Sequence, residues 1–258
     1  MTFDLQFFDP QQNHTIVWHD LPHWAQAGTV CFITWRTADS LPAEVQQRIT
    51  LERRRLLLDR GIDLDGDWKG ALTKLPVVER GQIQWGLFRI WDGALDQGRG
   101  ACVLADPELN KLVGDSLMHF DGDRYVMTDY VVMPNHVHLL AAFRDEETML
   151  SQCASWKRYT AREINRHLKQ SGHFWQVEPF DHLVRSLEQF EHYRRYIAQN
   201  PEQARLPQGS YRWYSKDLGT AACTRETIAS RAARVNWNKV EEILSRVPDV
   251  RPEAGDEK

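Results

Sequence analysis

Val131-Val132-Met133-Pro134-Asn135-His136-Val137-His138-Leu139-Leu140 is apolar apart from a Pro-Asn break and two histidines set two residues apart. Val137, Leu139, Leu140 and the following Ala141-Ala142-Phe143 favour a strand. Side chains of a strand alternate between faces at about 3.3 Å per residue, so His136 and His138 point the same way. Val137 and Leu139 then face a core. Two imidazoles side by side can hold one metal ion. The same spacing also suits two partly buried, hydrogen-bonded histidines. The chain enters this stretch through Tyr125-Val126-Met127-Thr128-Asp129-Tyr130-Val131-Val132, a second strand-like run, and Pro134-Asn135 reads as the hairpin turn between them.

The rest of the chain sets bounds. It has 258 residues and a formal charge of −4, which suits one domain with large additions or two small ones. That length is ample for a core. No run of about 18 apolar residues is present, so no membrane span is expected. Met1-Thr2-Phe3-Asp4-Leu5-Gln6-Phe7-Phe8 lacks the features of a secretion signal, and a cytoplasmic location is the expectation. Cys31, Cys102, Cys153 and Cys223 are scattered with no CxxC pair, and read as reduced thiols, not a zinc knuckle or a disulfide frame. Mild acidity argues against a chain coated in positive charge, but nucleic-acid binding needs only a local basic face. The ten tryptophans leave aromatic surface for base stacking, though most suit a core better.

Working outward, residues 1–28 read as irregular. Thr29-Val30-Cys31-Phe32-Ile33-Thr34-Trp35-Arg36 is β-branched and aromatic, a first strand. Its alternation puts Val30, Phe32 and Thr34 on one face and Cys31, Ile33 and Trp35 on the other, so both faces should be covered. Ser40 is placed to cap a helix opening at Leu41-Pro42 and stopping near Arg60-Gly61. Its Arg53-Arg54-Arg55 triplet suits a solvated face. Residues 62–80 show little periodicity, and residues 81–95 carry Trp85, Leu87, Phe88, Ile90 and Trp91 in a helix or amphipathic patch. Asp106-Pro107 begins another helix. A long helix from about Glu147 to Ser171-Gly172 has an apolar stripe and a basic flank of Lys157, Arg158, Arg162, Arg166 and Lys169. The segment ending Asp181-His182-Leu183-Val184-Arg185-Ser186 closes as a strand. A helix from Leu187 then ends at Asn200-Pro201. Residues 202–236 are polar and turn-rich, a short helix is expected from Asn238 to Val247, and the tail from Pro248 has a disordered composition.

The helix ending at Pro201 reads Tyr193-Arg194-Arg195-Tyr196-Ile197-Ala198-Gln199-Asn200-Pro201. Tyr196 and Asn200 are one turn apart on one face, and Tyr193 neighbours Tyr196. A phenol beside a carboxamide and a metal pair suits nucleophilic attack on phosphorus. With a pKa near ~10, about one phenol in a thousand is ionised at neutral pH. A divalent cation would help by polarising the phosphate and offsetting its charge. Packing tyrosines with an ordinary Asn-Pro helix stop would look the same. Tyr159, in Lys157-Arg158-Tyr159-Thr160-Ala161, also sits on a helix, and the residues alone do not choose between it and Tyr196.

His136-Val137-His138 resembles the HUH signature, in which two histidines flank a hydrophobic residue. The surrounding stretch is similar to the form found in single-tyrosine HUH transposases. Phe174-Trp175-Gln176, Phe180-Asp181-His182-Leu183-Val184-Arg185-Ser186 and Tyr196-Ile197-x-x-Asn200-Pro201 resemble REP-associated tyrosine transposases, as do Leu21-Pro22-His23-Trp24 and Ala38-Asp39-Ser40-Leu41-Pro42. The resemblance spans about residues 20–206. It implies His136, His138 and Asn200 as metal ligands, Tyr196 as nucleophile in preference to Tyr159, and Mg²⁺ or Mn²⁺ as the ion. It implies cleavage of single-stranded DNA beside a hairpin through a 5′-phosphotyrosine that leaves a free 3′-OH, with rejoining by the reverse attack. Where the family continues Val-x-Ala-Gly-Leu, this chain has Glu202-Gln203-Ala204-Arg205-Leu206, a departure at the helix exit.

The expected fold is α+β, a ferredoxin-like split βαβ antiparallel sheet of the HUH type with a helical insertion and a C-terminal extension. The expected divisions are an N-terminal extension over 1–28, a catalytic domain over 29–206 with an insertion at about 40–104, and a partly flexible extension over 207–258. Lys157, Arg158, Arg162 and Arg185 are the expected DNA contacts, in a monomer or homodimer that uses no membrane. A catalytically silent protein that binds hairpin nucleic acid is the alternative. A metal hydrolase unrelated to DNA is disfavoured because no acidic third ligand is evident near the histidines.

Overall fold

The computed structural model describes residues 5–9, 11–12, 15–18, 22–95, 97–176 and 180–218. The helix expected at 238–247 and the tail lie outside the described residues. In chain order the elements are β1 (Thr15–Trp18), β2 (Pro22–Ala25), β3 (Val30–Arg36), α1 (Ala43–Leu58), α2 (Trp68–Lys74), α3 (Val77–Leu95), α4 (Pro107–Met118), β4 (Tyr125–Val132), β5 (His136–Phe143), α5 (Glu146–Leu168), β6 (Phe180–Leu183), α6 (Leu187–Gln203) and β7 (Arg212–Ser215). A short 3₁₀ turn, Val103–Ala105, precedes α4.

Five strands form one antiparallel sheet in the order β6-β3-β5-β4-β7. Leaving β7 aside, the four strands stand fourth, first, third, second by chain order. That is the split βαβ arrangement, in which the β4–β5 hairpin inserts its second strand between β3 and β4. The α+β fold expected from the sequence is therefore present. The hairpin closes where expected: the Met133 N–H donates to the His136 carbonyl at 2.8 Å across Pro134-Asn135.

β3 and β5 are buried along their whole length, as their uninterrupted apolar character requires. One face of the sheet carries Cys31, Ile33, Trp35, Val137, Leu139 and Ala141 into a core with α4 and α5. Trp156 of α5 sits at its centre, 5.9 Å from the Trp35 ring and 4.8 Å from that of Tyr125, and its Nε1–H donates to the Ser116 carbonyl at 3.0 Å. The other face carries Val30, Phe32, Val131, Leu140 and Ala142 against Phe88 of α3 and Phe190, Tyr193 and Ile197 of α6. β3 pairs Thr34 with His138 and Arg36 with His136, so these four side chains share this second face.

Several expectations fail for local reasons. Ser40 does not cap α1: its hydroxyl donates to the Thr37 carbonyl at 2.7 Å, and Pro42 stands at the cap position with no side-chain bond. Gly61 does stop the first helix region, at φ +73°. Within the stretch read as aperiodic, α2 forms with Asp67 accepting from the Gly70 N–H at 2.9 Å. β1 and β2 pair antiparallel, Thr15 with Ala25 through Trp18 with Pro22, where the sequence reads as irregular. Pro201 does not end α6 but lies inside it. Proline lacks one N–H and so removes one intrahelical bond, a loss tolerable in a last turn. The exit is made instead by Arg205 at φ +54°, with the Leu206 N–H donating to the Pro201 carbonyl and the Arg205 N–H to that of Glu202, a Schellman pattern. Arg205 stands where the resembled family has glycine, in a conformation that glycine adopts more readily.

β7 falls in the stretch read as polar and turn-rich. It extends the sheet by pairing Arg212–Ser215 with Asp129–Val132. A buried ion pair fastens it: the Arg194 Nε–H donates to both oxygens of Asp129 at 3.1 Å, and the same guanidinium bonds Ser215 and the Lys216 carbonyl.

Candidate metal and tyrosine site

The site begins with the pleat. His136 and His138 project from one face of β5 with ring centroids 4.6 Å apart, and both are almost wholly buried. Each imidazole is held through Nδ1. His136 Nδ1 lies 2.7 Å from Asn135 Oδ1. The Asn135 amide nitrogen donates to the Leu95 and Arg99 carbonyls, so its oxygen is the acceptor and His136 carries its proton on Nδ1. The lone pair is then on Nε2, which makes no hydrogen bond among the described residues. His138 Nδ1 lies 2.7 Å from the Thr34 hydroxyl, again leaving Nε2 inward. A hydrogen bond on the far nitrogen that sets tautomer and ring angle is the usual support for a metal-ligating histidine. Burial pushes His136 down to about 3 and His138 well below the usual histidine range, the second helped by its neighbour. Both rings are neutral at pH 7, as ligation requires.

The third group comes from α3. Asp92 lies with His136 and His138 so that one ligand atom from each falls within 4.8 Å of the others. Its Oδ1 is 3.4 Å from His138 Nε2. This corrects the expectation that no acid accompanies the histidines. The sequence does hold a signal. Trp85, Phe88 and Asp92 follow a spacing of three and four, so a lone carboxylate ends the apolar stripe by which α3 packs on the sheet. Phe88 and Trp85 stack beside Phe32 and Tyr193 on the same face.

Tyr196 enters from α6. Its ring centroid is 5.3 Å from that of His138, and its hydroxyl donates to Asp92 Oδ2. One turn on, Asn200 is buried, and neither its amide oxygen nor its nitrogen finds a hydrogen-bond partner among the described residues. Buried amides without partners are costly, on the order of 1–3 kcal/mol per group. The inward histidine nitrogens and the Asp92 carboxylate are donor types that a divalent cation takes.

The other expected residues lie elsewhere. Tyr159 is 45% exposed on α5, the helix that covers the opposite face of the sheet, so the sheet separates it from the histidines. Tyr193 is buried and stacked on Phe32 at 4.3 Å, with its hydroxyl pKa raised by burial. Lys157, Arg158 and Arg162 also lie on α5, and Arg162 pairs with Glu163 at 3.0 Å. Arg185 is partly buried, and its Nη1 donates to His182 Nε2 at 3.0 Å. The structure does not gather these four basic side chains around the histidines.

Residues 119–200 match the family described as transposase, IS200 like. This segment is similar to IS200-like transposases. It contains His136, His138, Tyr196 and Asn200, while Asp92 lies outside it. Among curated proteins no sequence matches the chain. A solved structure of a REP-associated tyrosine transposase bound to a REP hairpin is similar at 13% identity, covering 81% of this chain and 98% of that one with a TM-score of 0.40. Among the described residues no helix is long and apolar enough to cross a membrane.

Proposed function

We propose that the chain is a DNA strand transferase that cuts single-stranded DNA beside a hairpin through a phosphotyrosine on Tyr196. The observation that carries this reading is the contact of the Tyr196 hydroxyl with Asp92 beside the histidine pair, within the segment matched to transposases. His136, His138 and Asp92 would hold Mg²⁺ or Mn²⁺, with Asn200 as a further oxygen ligand. Bound there, the ion supplies charge neutralisation and polarisation of the scissile phosphate. The chain's own groups do the rest. Asp92 accepts the phenolic hydrogen bond, aims the oxygen and takes its proton as attack begins. The Tyr196 oxygen forms a bond to phosphorus while the phosphorus–O3′ bond breaks, and the leaving 3′ oxygen gains a proton. The product is a 5′-phosphotyrosine and a free 3′-OH, and attack by a 3′-OH reverses the step.

Calorimetric titration of the protein with Mn²⁺ tests the ligand set. One site per chain is expected, lost in His136→Ala and weakened at least tenfold in Asp92→Asn, with cleavage of hairpin-bearing single strands lost in both. Mn²⁺ binding that survives His136→Ala unchanged would remove the metal assignment.

A further inference from the structure

We infer that Arg36 is a phosphate-binding residue of this site, placed to hold the scissile phosphate beside the metal. The inference rests on the strand-transferase reading. Arg36 is the cross-strand partner of His136 and lies on the same face of the sheet. Such partners have Cβ atoms about 5 Å apart. Its side chain is only 4% exposed. The surroundings give the guanidinium very little: Nη1 donates to the Ser40 hydroxyl at 3.1 Å and to the Thr37 carbonyl at 3.4 Å, and Nε is buried without a partner. The Trp91 ring lies 5.1 Å beneath it. Asp39, the carboxylate whose charge acts on it, is exposed and has Oδ2 2.8 Å from the Ala101 N–H. No carboxylate forms an ion pair with Arg36 among the described residues.

A buried guanidinium that makes no ion pair is expensive, and an arriving anion would offset that cost. Burial lowers this guanidinium, against the opposing pull of the Asp39 charge, to a pKa of about 10, so it is charged at neutral pH. Its planar fork suits two oxygens of one phosphate. Access is no separate problem. The Nε2 atoms of His136 and His138 are as deeply buried, so any opening that brings a phosphate to the metal brings it to Arg36. Trp91 and Asp92 are adjacent on α3, so one helix turn supports both the guanidinium and the metal site.

The test measures binding of fluorescein-labelled oligodeoxythymidylate by anisotropy across a salt series, in Mg²⁺, for wild type, Arg36→Met and Arg36→Lys, with melting temperatures for each. Loss of one phosphate contact to a single strand lowers the log–log salt slope by about 0.7. Arg36→Met is expected to show that drop and affinity at least tenfold weaker. Its melting temperature should equal or exceed that of wild type, because an unpaired buried charge is gone. Arg36→Lys should keep the wild-type slope. An unchanged slope in Arg36→Met while wild type binds overturns the inference alone. A wild type that does not bind the oligonucleotide overturns the strand-transferase reading and this inference with it. Should Arg36→Met not fold, Arg36→Gln carries the same comparison.

Discussion

The two faces of the central sheet are built to different standards. The face under α4 and α5 is filled by interlocking aromatics, and its polar atoms are mostly satisfied: Trp156 Nε1 bonds Ser116, and Trp175 Nε1 donates to Thr160 at 2.8 Å. Trp35 Nε1 and the Thr37 hydroxyl, which sits across from Trp175, are exceptions among the described residues. The face under α3 and α6 is equally buried yet carries His136 Nε2, His138 Nε2, Arg36 Nε, Tyr193 Oη and both amide atoms of Asn200 without hydrogen-bond partners among the described residues. A fold minimising free energy alone would not collect so many unmet polar groups in one layer. The contrast separates a face selected for packing from a face that holds its bonding capacity for something else, as stability–function trade-off anticipates.

The contrast can be broken by mutation. Trp156→Ala removes the centre of the filled face, and a loss of roughly 3–5 kcal/mol is expected from urea unfolding. On the opposite face Asn200→Leu should cost less than about 1 kcal/mol or stabilise, since it deletes two unmet groups for an apolar side chain of similar size. Equal losses in the two variants would erase the distinction.

Acid gives a one-sided effect, smaller for each residue. His136, His138 and His182 all face the α3–α6 side, and burial holds each neutral with a depressed pKa. His182 shows the cause plainly: its Nε2 accepts from Arg185 and lies 3.2 Å from the Gln189 amide nitrogen, leaving no place for a second proton. The unfolded chain binds protons on these rings below about pH 6.5 and the folded chain does not, so stability is full above that value and falls as pH drops below it. For the metal-free protein the loss at about pH 5 should be on the order of 2 kcal/mol per histidine. His182→Gln should remove one histidine's share of the slope. Urea midpoints identical from about pH 7 to pH 5 would contradict the assignment of these rings as neutral.

Much of this was legible in the chain, and the reasons differ residue by residue. The alternation in Thr29–Arg36 and the HxH spacing survive because strand period is set by backbone geometry, whatever packs on it. Both faces of β3 are covered as its pattern requires. Local caps fared worse. Ser40 had a second partner in Thr37, and Pro201 sits late enough in α6 to be tolerated, neither of which a one-dimensional pattern displays. β7 is too short for an alternation to register, and its anchor is the long-range pair of Arg194 with Asp129. Asp92 was missed for the same kind of reason. It lies 44 residues before His136 on a separate helix, α3, and only the packing of Trp85 and Phe88 on Phe32 and Tyr193 turns it toward the histidines. The resemblance favoured Tyr196 over Tyr159, and the sheet puts the two on opposite sides, which the residues alone do not display.

The most direct measurement is to trap the covalent product on single-stranded DNA bearing a hairpin, in Mn²⁺, and map the modified peptide by mass spectrometry. The account predicts a nucleotide on Tyr196, lost in Tyr196→Phe with DNA binding retained, and still formed in Tyr159→Phe and Tyr193→Phe. A nucleotide on Tyr159, or no adduct on any tyrosine, would contradict it.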